Sequence, residues 1–174
     1  KATNAVRTQH TLTGSVFVND GGGGDVPAPD GTVITFSLTN SNGASATFVG
    51  PSSCTTSGGN GSCMVVISSP TAGSTSISAS TNVSVGGVSL TRATGDGLAG
   101  DSPNAGKNWA GARISIAPTA TNEVNHSHTF TVTVEADSGG GFAPVANQPV
   151  TVTCTAANGA TVTPASPFTG TTNG

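Results

Sequence analysis

One stretch of this 174-residue chain recurs further along it, and the recurrence constrains the fold more than any other feature. The string Ala2-Thr3-Asn4 reappears as Ala120-Thr121-Asn122, 118 positions later, and His10 reappears as His128. A repeat that keeps its register over many positions indicates two copies of one structural unit. Further matches at the same offset are Val16 with Val134, glycines 21–23 with 139–141, Ala28 with Ala146 and Phe36 with Cys154, and Phe48 matches Phe168 after a shift of two.

The repeat length predicts how the chain divides into domains. A unit of about 118 residues is the size of one β-sandwich, so residues 1–111 are predicted to form one nearly complete sandwich. Residues 112–174 would form the N-terminal half of a second one. The alternating segment 113–117 precedes the second copy, and we expect the equivalent first strand of the first unit to be missing or supplied from outside the chain. A fragment of a longer array and completion by a neighbouring chain's strand both fit this division.

Composition favours strands over helices. Only 7% of the residues are charged, against roughly 25% in an ordinary soluble domain, and β-branched Thr and Val occur throughout the chain. Alternation of apolar and polar residues, with Gly-rich turns between the segments, predicts an all-β sandwich. The predicted strands are residues 11–18, 32–38, 63–68, 74–85, 88–94, 112–117, 129–136 and 150–155.

The charge and hydropathy patterns exclude two classes of partner. The five basic residues are scattered, whereas a nucleic-acid surface needs clustered Lys and Arg. The chain also has no apolar run near 18 residues, the length that a membrane-spanning helix requires. We therefore expect no nucleic-acid partner and no membrane span in this segment.

Several strings resemble the bacterial Ig-like domains of the invasin and intimin group. They are the segments 120–124, 128–132 and 145–152, together with the turn 54–63 and the Pro70-Thr71-Ala72-Gly73 loop. The resemblance implies tandem immunoglobulin-like β-sandwich domains in an extracellular protein, at the cell surface or in a secreted filament. It also implies neighbouring Ig-like domains or identical subunits as partners, with a glycan or host-surface ligand as a further possibility.

The cysteines indicate a disulfide. Cys54 and Cys63 flank a Gly-rich turn, and residues that face each other across a short hairpin meet the Cα separation of a disulfide. Two thiols without a nearby His or third Cys make poor zinc ligands. For Cys154 we expect a partner shortly beyond Gly174, or else a buried free thiol.

The recurring histidines suggest a structural role. His10 and His128 occupy equivalent positions, and each is expected to hydrogen-bond the backbone at the start of a strand. His126 and His128 form a His-x-His pair that could bind metal, but the first unit has Thr8 at the position of His126. A two-histidine site is therefore not a property of the repeat.

Trp109 lies at the junction of the two predicted units. A single aromatic residue there is expected to close the last strand or to pack the joint between domains. Stacking on a sugar ring is the alternative. Trp109 is accordingly grouped with the structural repeat positions Asn4, His10, Asn122 and His128.

Four aspartates are the candidates for a metal site. Asp20 and Asp25 flank one Gly-rich turn and Asp96 and Asp101 another, and carboxylates in such loops can ligate calcium. Asp and Gly are also ordinary turn formers, and Asp25 aligns with Ala143 in the second unit. The spacing matches no calcium-loop motif, so no metal or other cofactor is expected.

Nothing in the sequence indicates an enzyme. No Gly-x-Ser-x-Gly elbow is present, and Glu123 and Glu135, the only glutamates, align with Ala5 and Phe17. A self-formed Lys–Asn cross-link needs a buried lysine, and Lys1 and Lys107 are predicted at the chain end and in a turn. Three functions remain: a spacer or stalk module, a ligand-binding adhesin module, and a fibre subunit completed by strand exchange.

Overall fold

The computed structural model describes residues 1–163 and 166–173. Within these ranges the chain forms β-strands and no helix, so the all-β prediction is confirmed. Residues 164, 165 and 174 of the predicted second domain lie outside the described residues. The strands are β1 Ala2–Ala5, β2 His10–Ser15, β3 Phe17–Val18, β4 Val26–Pro27, β5 Val33–Ser41, β6 Thr47–Phe48, β7 Ser53–Thr55, β8 Ser62–Ser68, β9 Gly73–Val85, β10 Val88–Ala93, β11 Ala105–Ala117, β12 Thr131–Asp137, β13 Ala143–Pro144, β14 Pro149–Val152 and β15 Phe168–Thr171.

The chain separates into two compact units. The first comprises residues 1–111 with 138–140, and the second comprises 112–137 with 141–174. The boundary falls within β11, whose residues 105–111 belong to the first unit and 112–117 to the second.

Two main sheets form the first unit, and β3 pairs with β4 in a third, two-stranded sheet. One main sheet has the strand order β1–β11–β9–β5–β7, with β10 also paired to β9, and the other has the order β2–β8–β6. The pairs within them are antiparallel except β1 with β11, which is parallel, with Ala2 opposite Lys107 and Ala5 opposite Ala110. The first and last strands of the unit are therefore direct neighbours.

The core lies between these two sheets. Ile34 and Phe36 point inward from β5 because side chains on a strand alternate between its faces, and Trp109 points inward from β11. Val65 and Ile67 face them from β8 of the other sheet. Two sheets that enclose a common apolar core are consistent with a β-sandwich.

Several strand predictions were incomplete. Six strands were not predicted, namely β1, β4, β6, β7, β13 and β15, and β11 begins at Ala105 rather than at residue 112. The alternation rule failed at 105–110 because a lysine, Lys107, occupies an inward position of that strand. The predicted strand 11–18 is interrupted at Val16, and β14 ends at Val152 instead of residue 155.

The second unit contains residues 112–117 of β11, the strands β12 and β13, and the antiparallel pair β14–β15. β12 lies between β11 and β13, and Arg113 of β11 contacts Glu135 of β12 at 2.6 Å. All the buried apolar residues that the structure describes belong to the first unit.

Candidate functional site

A lysine is buried where the first and last strands of the first unit meet. Lys107 is 1% exposed, and its Nζ donates a hydrogen bond to Asn4 Oδ1 at 2.5 Å. The ammonium also lies 5.6 Å from the centroid of the Trp109 ring, within reach of a cation–π interaction. The prediction that Lys107 lies in a turn was wrong, because the residue sits in β11 with its side chain inward.

Burial changes the proton affinity of this region. Desolvation lowers the pKa of Lys107, since the charged form loses its hydration. The pKa of His10 is also lowered, first by burial and then by the positive charge of Lys107. Within the described part of the chain, the ion pairs involve Arg92, Arg113 and His126 rather than Lys107.

Trp109 begins a polar chain that crosses three strands. Its Nε1 donates to Thr75 Oγ1 at 3.1 Å, and that hydroxyl donates to Asn40 Oδ1 at 2.8 Å. The Asn40 amide in turn bonds both backbone groups of Ala46. The indole is fully buried, so its ring face is not a sugar-stacking surface. It acts as a core residue that ties β11 to β9 and β5.

The same turn occurs at the start of both copies of the repeat. Asn4 Nδ2 donates to the Gln9 carbonyl at 3.3 Å, and Asn122 Nδ2 donates to the Ser127 carbonyl at 3.0 Å. The left-handed residue of each turn recurs too, with φ of 64° at Arg7 and 67° at Asn125. Thr8 N–H donates to the Ala5 carbonyl as His126 N–H does to Glu123. The sequence repeat therefore corresponds to a repeated backbone structure.

A buried threonine and its counterpart make a second recurring feature. Thr56 Oγ1 donates to the Pro29 carbonyl and accepts from Thr32 N–H. Thr172 Oγ1 likewise donates to the Val145 carbonyl and accepts from Gln148 N–H. The backbone bonds around the two threonines also match. Thr56 and Thr172 are 116 residues apart, not 118.

This shorter offset corrects the sequence alignment downstream of the hairpin. The pairs Ile34–Cys54 and Val150–Gly170 are equivalent, so Phe36 corresponds to Val152 and not to Cys154. Phe168 lies in β15, the counterpart of β7, and not of the strand that contains Phe48. The alignment slipped because it matched side-chain identity, whereas backbone bonding defines the register.

The second unit is two residues shorter than the first over this stretch. It has one residue fewer in the hairpin loop, where Ala28 corresponds to Val145 rather than Ala146, and one fewer in the turn that follows.

The disulfide between Cys54 and Cys63 is confirmed, with a Cα–Cα distance of 5.8 Å. Cys54 is in β7 and Cys63 in β8, so the bond links the two sheets beside the core rather than two paired strands of one hairpin. Cys154 carries a free thiol and is partly buried. Its backbone N–H donates to Ser166 Oγ at 2.8 Å. A partner for it beyond Gly174 stays a prediction.

The histidines occupy separate environments. His10 begins β2, whereas His128 lies before β12, with Nε2 3.3 Å from the Pro118 carbonyl and its ring edge-on to Phe130. His126 is exposed and lies 3.6 Å from Glu123 Oε2. Glu135 has a different partner, Arg113, whose hydrogen bond lowers the pKa of the carboxyl group. The two glutamates thus serve separate contacts.

The four calcium candidates are used in local contacts. Asp20 and Asp96 each accept a backbone N–H two residues ahead, Asp25 accepts from the Asn19 amide, and Asp101 lies 3.9 Å from Arg92 Nε. Across residues 1–163 and 166–173, no three His, Cys, Asp or Glu side chains gather as a metal site would require. Asp20 and Asp96 therefore serve as turn formers in the structure.

Comparison with models of protein families, with curated proteins and with solved structures finds no match for this chain. A search for membrane-spanning helices among the described residues also finds none that is long and apolar enough.

Proposed function

We propose that the chain is a tension-resisting structural segment, made of tandem Ig-like units, of an extracellular bacterial surface protein. The parallel pairing of β1 with β11 is the observation that carries this proposal. The two ends of the first unit are the N-terminal end of β1 and the C-terminal end of residues 105–111 of β11. In a parallel pair these ends point in opposite directions, so tension along the chain shears the two strands and loads their hydrogen bonds together.

The Asn4–Lys107 contact supports the same function. It joins β1 to β11 inside the protein, where hydrogen bonds to charged groups are stronger than in water. Water cannot readily replace the lysine's partner while the unit is closed. A tensile load would therefore have to break a buried charge-assisted bond as well as the backbone ladder.

The disulfide supports an extracellular setting. Disulfides persist in oxidising compartments and are rare in the cytosol. Cys54 and Cys63 also hold β7 to β8 across the core, which limits how far the chain can extend if the unit opens under load.

Single-molecule pulling on the chain from its two ends tests this function. We expect the first unit to unfold in one event at a force that falls several-fold in Asn4→Ala. The matched control is Thr91→Ala, which removes the 2.6 Å bond to Asn82 between β9 and β10, away from the β1–β11 pair. Equal rupture forces in Asn4→Ala, Thr91→Ala and the unchanged chain would contradict the proposal.

Reduction gives an independent readout of the same experiment. Cys54 and Cys63 are separated by 9 residues, and extended chain spans roughly 3.5 Å per residue. The bonded Cα atoms already span 5.8 Å, so breaking the bond should lengthen the unfolding step by about 25 Å. The force at which β1 and β11 separate should not change. A force that drops on reduction would place the load on β7 and β8 instead.

A further inference from the structure

The strand that runs through β2 and β3 has one free edge. Val16 N–H donates to the Gly61 carbonyl, and the Val16 carbonyl accepts from Ala28 N–H. The N–H and C=O of one strand residue point to the same side, so β8 and β4 lie along one edge of residues 10–18. Among the described residues of the first unit, no strand pairs with the opposite edge. Its unpaired backbone groups are ready for another strand.

A groove with both apolar and polar lining residues opens beside the free edge. It has a volume of about 540 Å³ and extends from β2 and β3 to β9 and β10. Leu12, Val16, Phe36, Val83 and Leu90 contribute to its lining. A free edge beside such a groove suits a strand that pairs its backbone with the edge and places the aliphatic side chains of one face in the groove.

The second unit has a strand at the equivalent edge. β12 corresponds to residues 13–19 at the repeat offset, and its pair with β13 matches the pair of β3 with β4. The other neighbour of β12 is β11. Residues 105–110 of β11 already pair with β1 and β9, so residues 112–117 are the part that pairs with β12. The Arg113–Glu135 contact agrees with this assignment.

We propose that the free edge of β2–β3 accepts a strand with the pattern of residues 112–117, contributed by another unit of the same kind in the same polypeptide. The inference rests on the proposed tandem arrangement and adds the surface through which units join. β11 completes the first unit with its N-terminal half and continues into the second with its C-terminal half. Ile114 and Ile116 share one face of that half and are 64% and 53% exposed. The corresponding side chains of an added strand would enter the groove.

Hydrogen exchange on a fused chain tests this surface. A copy of residues 112–118 is placed directly before Lys1 of the full chain. The copy then precedes Lys1 as residues 112–118 precede Thr119, the counterpart of Lys1 in the second unit. Thr13 and Ser15 point their N–H groups to the free edge, because they alternate with Val16 along the strand. We expect exchange at Thr13 and Ser15 to slow at least about tenfold in the fusion. The control fusion carries Ile114→Ser and Ile116→Ser in the added copy only.

Each outcome decides the proposal. Protection in the first fusion but not in the control supports it. No protection, or equal protection in both fusions, overturns it. Protection that rises with concentration in the chain without a fusion would assign the edge to a second copy of the chain, which also contradicts it. The pulling experiment measures β1 and β11 in the unfused chain, so the proposed resistance to tension can fail or stand independently of this result.

Discussion

Lys107 Nζ donates to Asn4 Oδ1 across 2.5 Å, which joins the first and last strands of the first unit beneath its surface. Removing the acceptor leaves a buried ammonium without this partner. We therefore expect Asn4→Ala to lower the free energy of unfolding by about 2–3 kcal/mol. Lys107→Met keeps most of the packed stem and removes the charge, so it should cost less. Denaturant unfolding of both single variants and the double variant measures their coupling, and additive effects would show that the bond contributes nothing.

Stability should fall as the solution becomes mildly acidic. The pKa of His10 is lowered in the folded chain, so between that value and about 6.5 the unfolded chain binds more protons. The free energy of unfolding consequently decreases as pH falls through this window. His10→Gln should flatten the dependence, and Lys107→Met should weaken it by removing the second cause of the shift. His126→Gln alters an exposed histidine and serves as the control; if it flattens the curve equally, His10 is not responsible.

Loss of the disulfide should destabilise the first unit without unfolding it at room temperature. The bond closes a loop with a sequence separation of 9, for which the chain-entropy estimate is about 2–3 kcal/mol. Thermal unfolding of Cys54→Ala/Cys63→Ala, compared with the unchanged chain under oxidising conditions, gives the difference. Cys154→Ala leaves this bond intact and is the matched control. An unchanged melting temperature in the double variant would show that the two sheets are held together without the bond.

The recurring threonines should contribute unequally. Thr56 is 2% exposed. Thr56→Val removes its bond to the Pro29 carbonyl, which Thr32 Oγ1 also donates to, and removes the acceptor of Thr32 N–H, so it should cost about 1–3 kcal/mol. Thr172 makes the same bonds in a more exposed position, and Thr172→Val should have a smaller effect, detected as faster exchange of Gln148 N–H. Thr39→Val, on the exposed face of β5, controls for the change of side chain. A Thr56→Val effect no larger than that of Thr39→Val would contradict the assigned role.

Sequence patterns predicted the all-β class, most strands of the first unit and the disulfide, because these depend on local alternation and spacing. They missed β1, whose residues 2–5 pair with 107–110 across more than a hundred positions. They also missed the inward position of Lys107. The rule of alternation counts apolar residues, and the aliphatic stem of a lysine is not apparent in such a count. The available signal for the inward position of Lys107 was its spacing from Trp109. Residues two positions apart share one face of a strand, so a buried tryptophan implies an inward lysine.

The register of the repeat needed backbone information as well. Similar side chains at Phe48 and Phe168 suggested an insertion, whereas the bonds of Thr56 and Thr172 show that the second unit is two residues shorter over this stretch. Hydrogen bonds between distant residues leave no trace in a local pattern. The repeat predicted that the first unit lacks its first strand, but only the strand order shows that the edge left unpaired belongs to β2 and β3.

The pairing of β1 with β11 also has a consequence for how the chain folds. Ala2 meets Lys107, so nearly the whole first unit must be synthesised before its first strand finds its partner. Contacts between residues so far apart in sequence form slowly, because a long loop must close before any bond is gained. At roughly 5–20 residues per second, β1 waits several seconds on a growing chain. The contact proposed to resist tension is thus among the last that a newly made unit can acquire.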